Sequence, residues 1–297
     1  MSVRSKQHSV LLFCAATVPA ILVLPKAGWL WAGVTTAIVS ILLYTAQKRE
    51  RNTNPIPLAA LLGWNLLALG AASDLLCSAF EQGNELIGLL LLLLAAYAAS
   101  KGECTVLRVS AVIAFALTIL YGTLLGFSLP EIQKSNLKPE QMPQWTVLAA
   151  ALVPMLGLYS EEKVSGAWQA VAIVFAILAA VVSAGSRDFY TAMKSVSILG
   201  AMERLEPIVS VAVTLGGFCL LGMICSVNET IVQKIYPKAK VFTMPINFLL
   251  GGASIWISRL CGGAFLAIGT AIFWGLLPFL PQSLEKEKKF EKNQKNA

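Results

Sequence analysis

Between Glu85 and Lys101 the chain reads Leu86-Ile87-Gly88-Leu89-Leu90-Leu91-Leu92-Leu93-Leu94-Ala95-Ala96-Tyr97-Ala98-Ala99-Ser100, a stretch without a single charge. Polarity does not alternate along it, as it would in a strand of a membrane barrel. The hydrocarbon core of a bilayer is about 30 Å thick and takes about 20 apolar residues in a helix. Lipid offers the backbone no hydrogen bonds, so such a run has to satisfy its own and is predicted to be helical.

Similar runs recur from Leu11 to Leu280. Divided at charges and at Pro/Gly breaks, they predict ten spans: 9–25, 27–46, 57–80, 84–101, 107–128, 144–160, 165–185, 207–228, 241–259 and 262–280. The composition agrees, with 57% hydrophobic and 13% charged residues against about 25% charged in soluble domains. The first run shows no signal-peptide cleavage pattern and reads as a retained helix. The expected protein is an all-α membrane domain over 1–282, followed by a charged, disordered cytoplasmic tail, 283–297. The segment 186–207 is too charged to span and reads as short amphipathic helices.

Topology follows from the basic residues. With the amino end inside, only Lys26, Lys134, Lys138, Arg187, Lys194, Arg204 and Arg259 fall outside, 7 of the 23 Lys and Arg. The other 16 fall on the cytoplasmic side, which the positive-inside rule favours. Both termini are therefore expected in the cytoplasm. The net charge of +7 reflects this distribution and not a nucleic-acid surface. Six scattered cysteines form no Cys-x-x-Cys pair, so neither disulfides nor a metal site is expected. His8, the one histidine, precedes the first run without a neighbouring partner in sequence. No Ser/His, Asp/Asp or His/Glu constellation converges, which argues against an enzyme, and no cofactor motif is present.

Ten spans invite a division into two inverted halves, about 9–128 and 144–280. The first helix of each half carries a mid-span proline, Pro19 within Ala16-Thr17-Val18-Pro19 and Pro154 within Val153-Pro154-Met155, with Gly157 three residues on. Proline removes a donor and clashes with the preceding turn, so each helix is expected to break or kink there. Broken backbone is tolerable in lipid only beside a cavity, and half-helix ends offer partial charges to a small zwitterion. Asp74 and Asn65 in the third run are intramembrane polar groups, and Asp74 is a site candidate by default. The expected solute site is thus Ala16, Thr17, Val18, Pro19, Val153, Pro154, Met155, Gly157, Asn65 and Asp74.

Three passages give the chain a family likeness. Leu22-Val23-Leu24-Pro25-Lys26-Ala27-Gly28-Trp29, Gly102-Glu103-Cys104-Thr105-Val106-Leu107-Arg108 and Ser195-Val196-Ser197-Ile198-Leu199-Gly200-Ala201-Met202-Glu203-Arg204-Leu205-Glu206 are similar to motifs of the spore germination permeases. These are the B subunits of GerA-type germinant receptors, within the amino acid–polyamine–organocation superfamily. The sequence departs from the family at the sixth helix, where Pro154-Met155-Leu156-Gly157 carries no acid. The resemblance implies a LeuT-like five-plus-five fold and a pocket for a nutrient, typically an amino acid. It also implies the inner membrane of a bacterial spore, contact with membrane lipid, and assembly with a larger membrane subunit and a lipoprotein. The alternative within the same fold is a stand-alone amino acid permease coupled to protons or sodium.

Overall fold

The computed structural model describes residues 3–23, 55–79, 85–128 and 206–277, with isolated positions at 34, 37, 38 and 41. Every element among the described residues is helical. The helices are α1 (Val3–Leu22), α2 (Pro55–Ala79), α3 (Glu85–Ser100), α4 (Glu103–Ser128) and α5 (Glu206–Ile235). A 3-10 turn, Pro237–Phe242, leads into α6, which is built from Thr243–Pro245, a π segment Ile246–Leu250, and Gly251–Leu260. The last element, α7, joins Gly263–Thr270 to a second π segment, Ala271–Leu276. The expected spans 144–160 and 165–185, the segment 186–207 up to Leu205 and the tail lie outside the described residues. So does most of 27–46.

Among the described residues, three helices are long and apolar enough to cross a membrane: Pro55–Ala79, Glu103–Thr123 and Pro207–Ile235. The same character shows on the outside of the bundle. On α3, Leu86, Leu90, Leu94 and Tyr97 recur about once per turn and are exposed. On α4, Val112, Phe115 and Ile119 do the same. Apolar stripes of this extent on an outer surface need an apolar solvent.

The first and eighth expected spans differ most from the sequence reading. The first helix begins at Val3, not at Ser9, because Arg4, Lys6 and His8 extend the helix without having to enter lipid. It also runs on through Pro19 to Leu22, with Val23 N–H donating to the Pro19 carbonyl at 3.0 Å. Pro19 therefore does not break the helix. It sits one turn from the end, where only a short piece of helix remains to be disturbed. The eighth expected span also lengthens, since α5 continues past residue 228 to Ile235.

The long α5 packs against α1, α2, α3 and α4. Two adjacent glycines shape its amino-terminal half: Gly216 faces Val18 of α1, and Gly217 faces Leu76 of α2. This places the carboxyl ends of α1 and α2 at one level, so the start of α1 lies at the opposite end of the bundle. A close approach also joins α2 to α6, where a Cβ on Gly70 would come within 2.6 Å of the Ser254 carbonyl oxygen. Ser254 Oγ donates to the Leu66 carbonyl across that contact at 2.6 Å. Gly102, at φ 106°, makes the tight link from α3 to α4 that only a residue without Cβ adopts cheaply.

Each end of the bundle has an ionic tie. At the start of α1, Arg4 reaches Glu103 of α4 at 2.6 Å, and His8 Nε2 lies 2.5 Å from the other oxygen of the same carboxylate. Although sequence offered His8 no neighbour, folding supplies one 95 positions away. His8 Nδ1–H donates to the Arg4 carbonyl at 2.9 Å. Burial opposes the imidazolium charge, but the hydrogen bonds to Glu103 and Arg4 and the Glu103 charge outweigh it, and the pKa rises. At the other end Arg259 of α6 holds Asp74 of α2 and Glu85 of α3, each at 2.7 Å.

Two outcomes follow from this arrangement. A group whose folded pKa is raised adds stability that is complete below its unfolded value, about 6.5 for histidine, and is lost as pH rises through the folded value. His8→Gln is therefore expected to lower the melting temperature most at mildly acidic pH and least in alkaline buffer, read by thermal unfolding across that range. Cys104 opens α4 beside the Arg4 tie, and Cys261 follows α6 beside the Arg259 tie. With the amino end inside, as the distribution of basic residues predicts, a membrane-impermeant maleimide on intact cells is expected to label Cys261 and to reach Cys104 only after permeabilisation.

Candidate functional site

Between α1, α2, α5, α6 and α7 lies a cavity of about 270 Å³. One face of α2 supplies the largest share of its wall: Trp64, Ala68, Ala71, Leu75 and Ser78, with Ala72 and Asp74 beside them. Steps of four and three residues keep this set on one side of a helix. The volume has a simple origin. Alanines stand at 68, 71 and 72, in a helix that uses leucine at eight other positions, and the facing helices do not fill the space they leave.

The remaining walls come from four elements. Pro19 and Val23 close the cavity from the end of α1, and Leu220 and Ile224 from α5. Ser258 comes from α6, while Leu266, Thr270 and Trp274 come from α7. Trp274 belongs to the π segment Ala271–Leu276, where the wider turn alters which side chains face the neighbouring helix. Its indole N–H donates to Asn65 Oδ1 of α2 at 2.8 Å. Trp64 stacks on Phe273 with ring centroids 5.1 Å apart, and it meets the tilted ring of Phe265 at 5.7 Å. Gly269 receives the edge of the Trp64 ring where any side chain would overlap it.

Of the residues singled out from sequence, Pro19 and Asp74 line this cavity. Asn65 does not; fully buried, it holds the Trp274 indole and so positions a wall. Thr17 and Val18 are buried in the packing of α1, Thr17 donating to the Cys14 carbonyl at 2.7 Å and Val18 seated against Gly216. Ala16 is likewise buried. None of these three faces the cavity, because α1 turns them elsewhere without a break at Pro19. Val153, Pro154, Met155 and Gly157 lie outside the described residues. Sequence reading missed Trp64, Ser258, Thr270 and Trp274. A signal for the first was present: an aromatic followed by small residues at helical spacing and then an acid.

The electrostatics are local. Asp74 is partly exposed at one end of the cavity, and its carboxylate is engaged by Arg259. Arg259 also serves Glu85, so the three side chains carry two negative charges and one positive. No group of three or more metal-ligating His, Cys, Asp or Glu side chains gathers among the described residues. The arrangement can enclose a small, largely apolar molecule with a polar head at one end.

Asn65→Leu is expected to cost about 1–3 kcal/mol, because the Trp274 N–H loses its acceptor inside the protein. Thermal unfolding measures the loss, and a shift in tryptophan emission reports the release of Trp274.

The sequence matches no protein-family model and no curated protein.

Proposed function

We propose that this chain is a multi-pass membrane protein that binds a small solute in the cavity flanked by Pro19 and Asp74. We further propose that it acts as the nutrient-sensing subunit of a bacterial spore germinant receptor. The observation that carries the binding reading is the cavity itself. It lies within the bundle, is walled by five helices, and is reached by both the proline and the acid that sequence chemistry marked. An apolar cavity of about 150 Å³ accepts benzene, so about 270 Å³ suits a solute of roughly eleven non-hydrogen atoms. That is the size of a free amino acid or a comparable nutrient.

The germinant-receptor reading draws its support from the three resembling passages, one of which, Gly102–Arg108, opens α4 at the Arg4–His8–Glu103 tie. Assembly with a larger membrane subunit and a lipoprotein, in the spore inner membrane, belongs to the same proposal. The same resemblance, to a receptor subunit, is what favours sensing over ion-coupled uptake. In a sensor, a solute works by favouring one conformation over another, without turnover.

The test uses the purified full chain and a panel of amino acids and related nutrients. At least one compound is expected to raise the melting temperature, since a ligand at about 100 times its Kd adds about 2.7 kcal/mol. Ala72→Phe, which fills the cavity, is expected to remove that response. In proteoliposomes the same compound should show no gradient-driven accumulation; robust uptake would transfer the reading to a permease.

A further inference from the structure

The solute class can be narrowed from the hydrogen-bonding sense of the cavity wall, an inference that rests on the cavity being the solute site. Three hydroxyls line it, and each has already committed its hydrogen to its own helix. Ser78 Oγ donates to the Leu75 carbonyl at 2.8 Å, Ser258 Oγ to Ile255 at 2.8 Å, and Thr270 Oγ1 to Leu266 at 2.6 Å. A hydroxyl keeps two lone pairs after donating, so what these groups can offer a ligand is acceptance. Asp74 is an acceptor as well when ionised.

The donors on the wall are spent or hidden. Trp274 Nε1–H is used by Asn65 at 2.8 Å. Trp64 Nε1 is buried to under 1 Å² of atomic surface, too little to meet a ligand. Arg259 points its guanidinium at Asp74 and Glu85 and is not among the cavity-lining side chains. Among the described residues, then, the cavity accepts hydrogen bonds and donates none. Of the described lining side chains Asp74 alone is charged, and its charge is negative.

A carboxylate in this space would give up part of its water, find no donor among the described residues and face Asp74, whereas an ammonium would find several acceptors and a compensating charge. Losing hydration without a replacement partner is the costly case for either ion. We infer that the cavity takes a small apolar monoamine, its ammonium on Asp74 and the Ser78 and Ser258 hydroxyls, its hydrocarbon body beside Ala68, Ala71 and Leu220. The zwitterion of an amino acid satisfies half of this site and leaves its carboxylate unmatched. The amine therefore replaces the amino acid that the family resemblance implies.

Three probes of one shape separate the possibilities: phenethylamine, 2-phenylethanol and phenylacetate, titrated into the full chain in nanodiscs and followed by tryptophan emission. Phenethylamine is expected to bind about tenfold or more tighter than phenylacetate, with the alcohol between them. Asp74→Asn should bring the amine to within about threefold of the alcohol. Ser258→Ala keeps the volume and the Arg259 tie and should weaken the amine selectively, which guards against misfolding of the aspartate variant. Phenylacetate binding as tightly as phenethylamine, and lost in Ala72→Phe, would overturn the amine assignment and leave the cavity as a solute site. An amino acid of the nutrient panel binding where none of the three probes does has the same effect. If no compound of either set binds, both readings fall together.

Discussion

The contact of Gly216 and Gly217 with the two helices they face governs how the other elements can be placed. Removing two successive side chains from the amino-terminal half of α5 lets Val18 of α1 and Leu76 of α2 seat directly on its backbone. Two thirds of the apolar window of α5 is enclosed by protein, against well under half for α2 and α4, so α5 is a core helix and the others form its coat. In lipid there is little hydrophobic gain in bringing helices together, and close van der Waals contact has to supply the attraction. Small residues at the points of nearest approach make that contact. The Gly70–Ser254 crossing of α2 and α6 works in the same way, reinforced by the hydrogen bond from Ser254 to Leu66.

Polar residues inside the bundle sort by whether they close on one another. Asn228 of α5 donates to Asn247 at 2.8 Å, and Asn247 donates to the Cys225 carbonyl at 3.4 Å. This link fixes α5 to the π segment Ile246–Leu250 directly after Pro245. A proline there withholds a backbone donor, and the wider turn that follows redistributes the carbonyls. The second π segment serves the cavity by carrying Phe273 and Trp274 against α2. Both irregular stretches thus coincide with interhelical contacts made by side chains they re-aim.

How far the chain could be read in advance follows from the kind of information each feature needs. The helices α2, α3 and α4 lie within a few residues of the apolar runs, because lipid demands uniform apolarity and that is a local property of sequence. Helix ends follow a weaker rule. Charge does not stop a helix, so α1 starts at Val3, and α5 carries Glu229, paired with Gln233, and Lys234 beyond the apolar limit. Pro19 was legible as an irregularity but not as a continuation, since the outcome depends on how close the helix end lies. Partners distant in sequence were not legible at all: His8 with Glu103, Asp74 with Arg259, Asn65 with Trp274. A cavity is less legible still. Ala68, Ala71 and Ala72 are ordinary membrane-helix residues until the facing side chains are known.

The two ionic ties differ in what they could transmit. The tie of Arg4 and His8 to Glu103 joins α1 to α4 at the end away from the cavity and touches none of its walls. Arg259 instead joins α2, α3 and α6 through an acid that is itself part of the wall. A ligand cation that engages Asp74 competes with Arg259 for the same carboxylate, while Glu85 remains available to the guanidinium. Occupancy of the cavity is then coupled to the strength of the α2–α6 link, and the coupling acts where helix meets helix. A ligand can shift a conformational equilibrium only through a difference in its interaction with the two states. An acid shared between the cavity and an interhelical tie supplies such a difference without any further moving part.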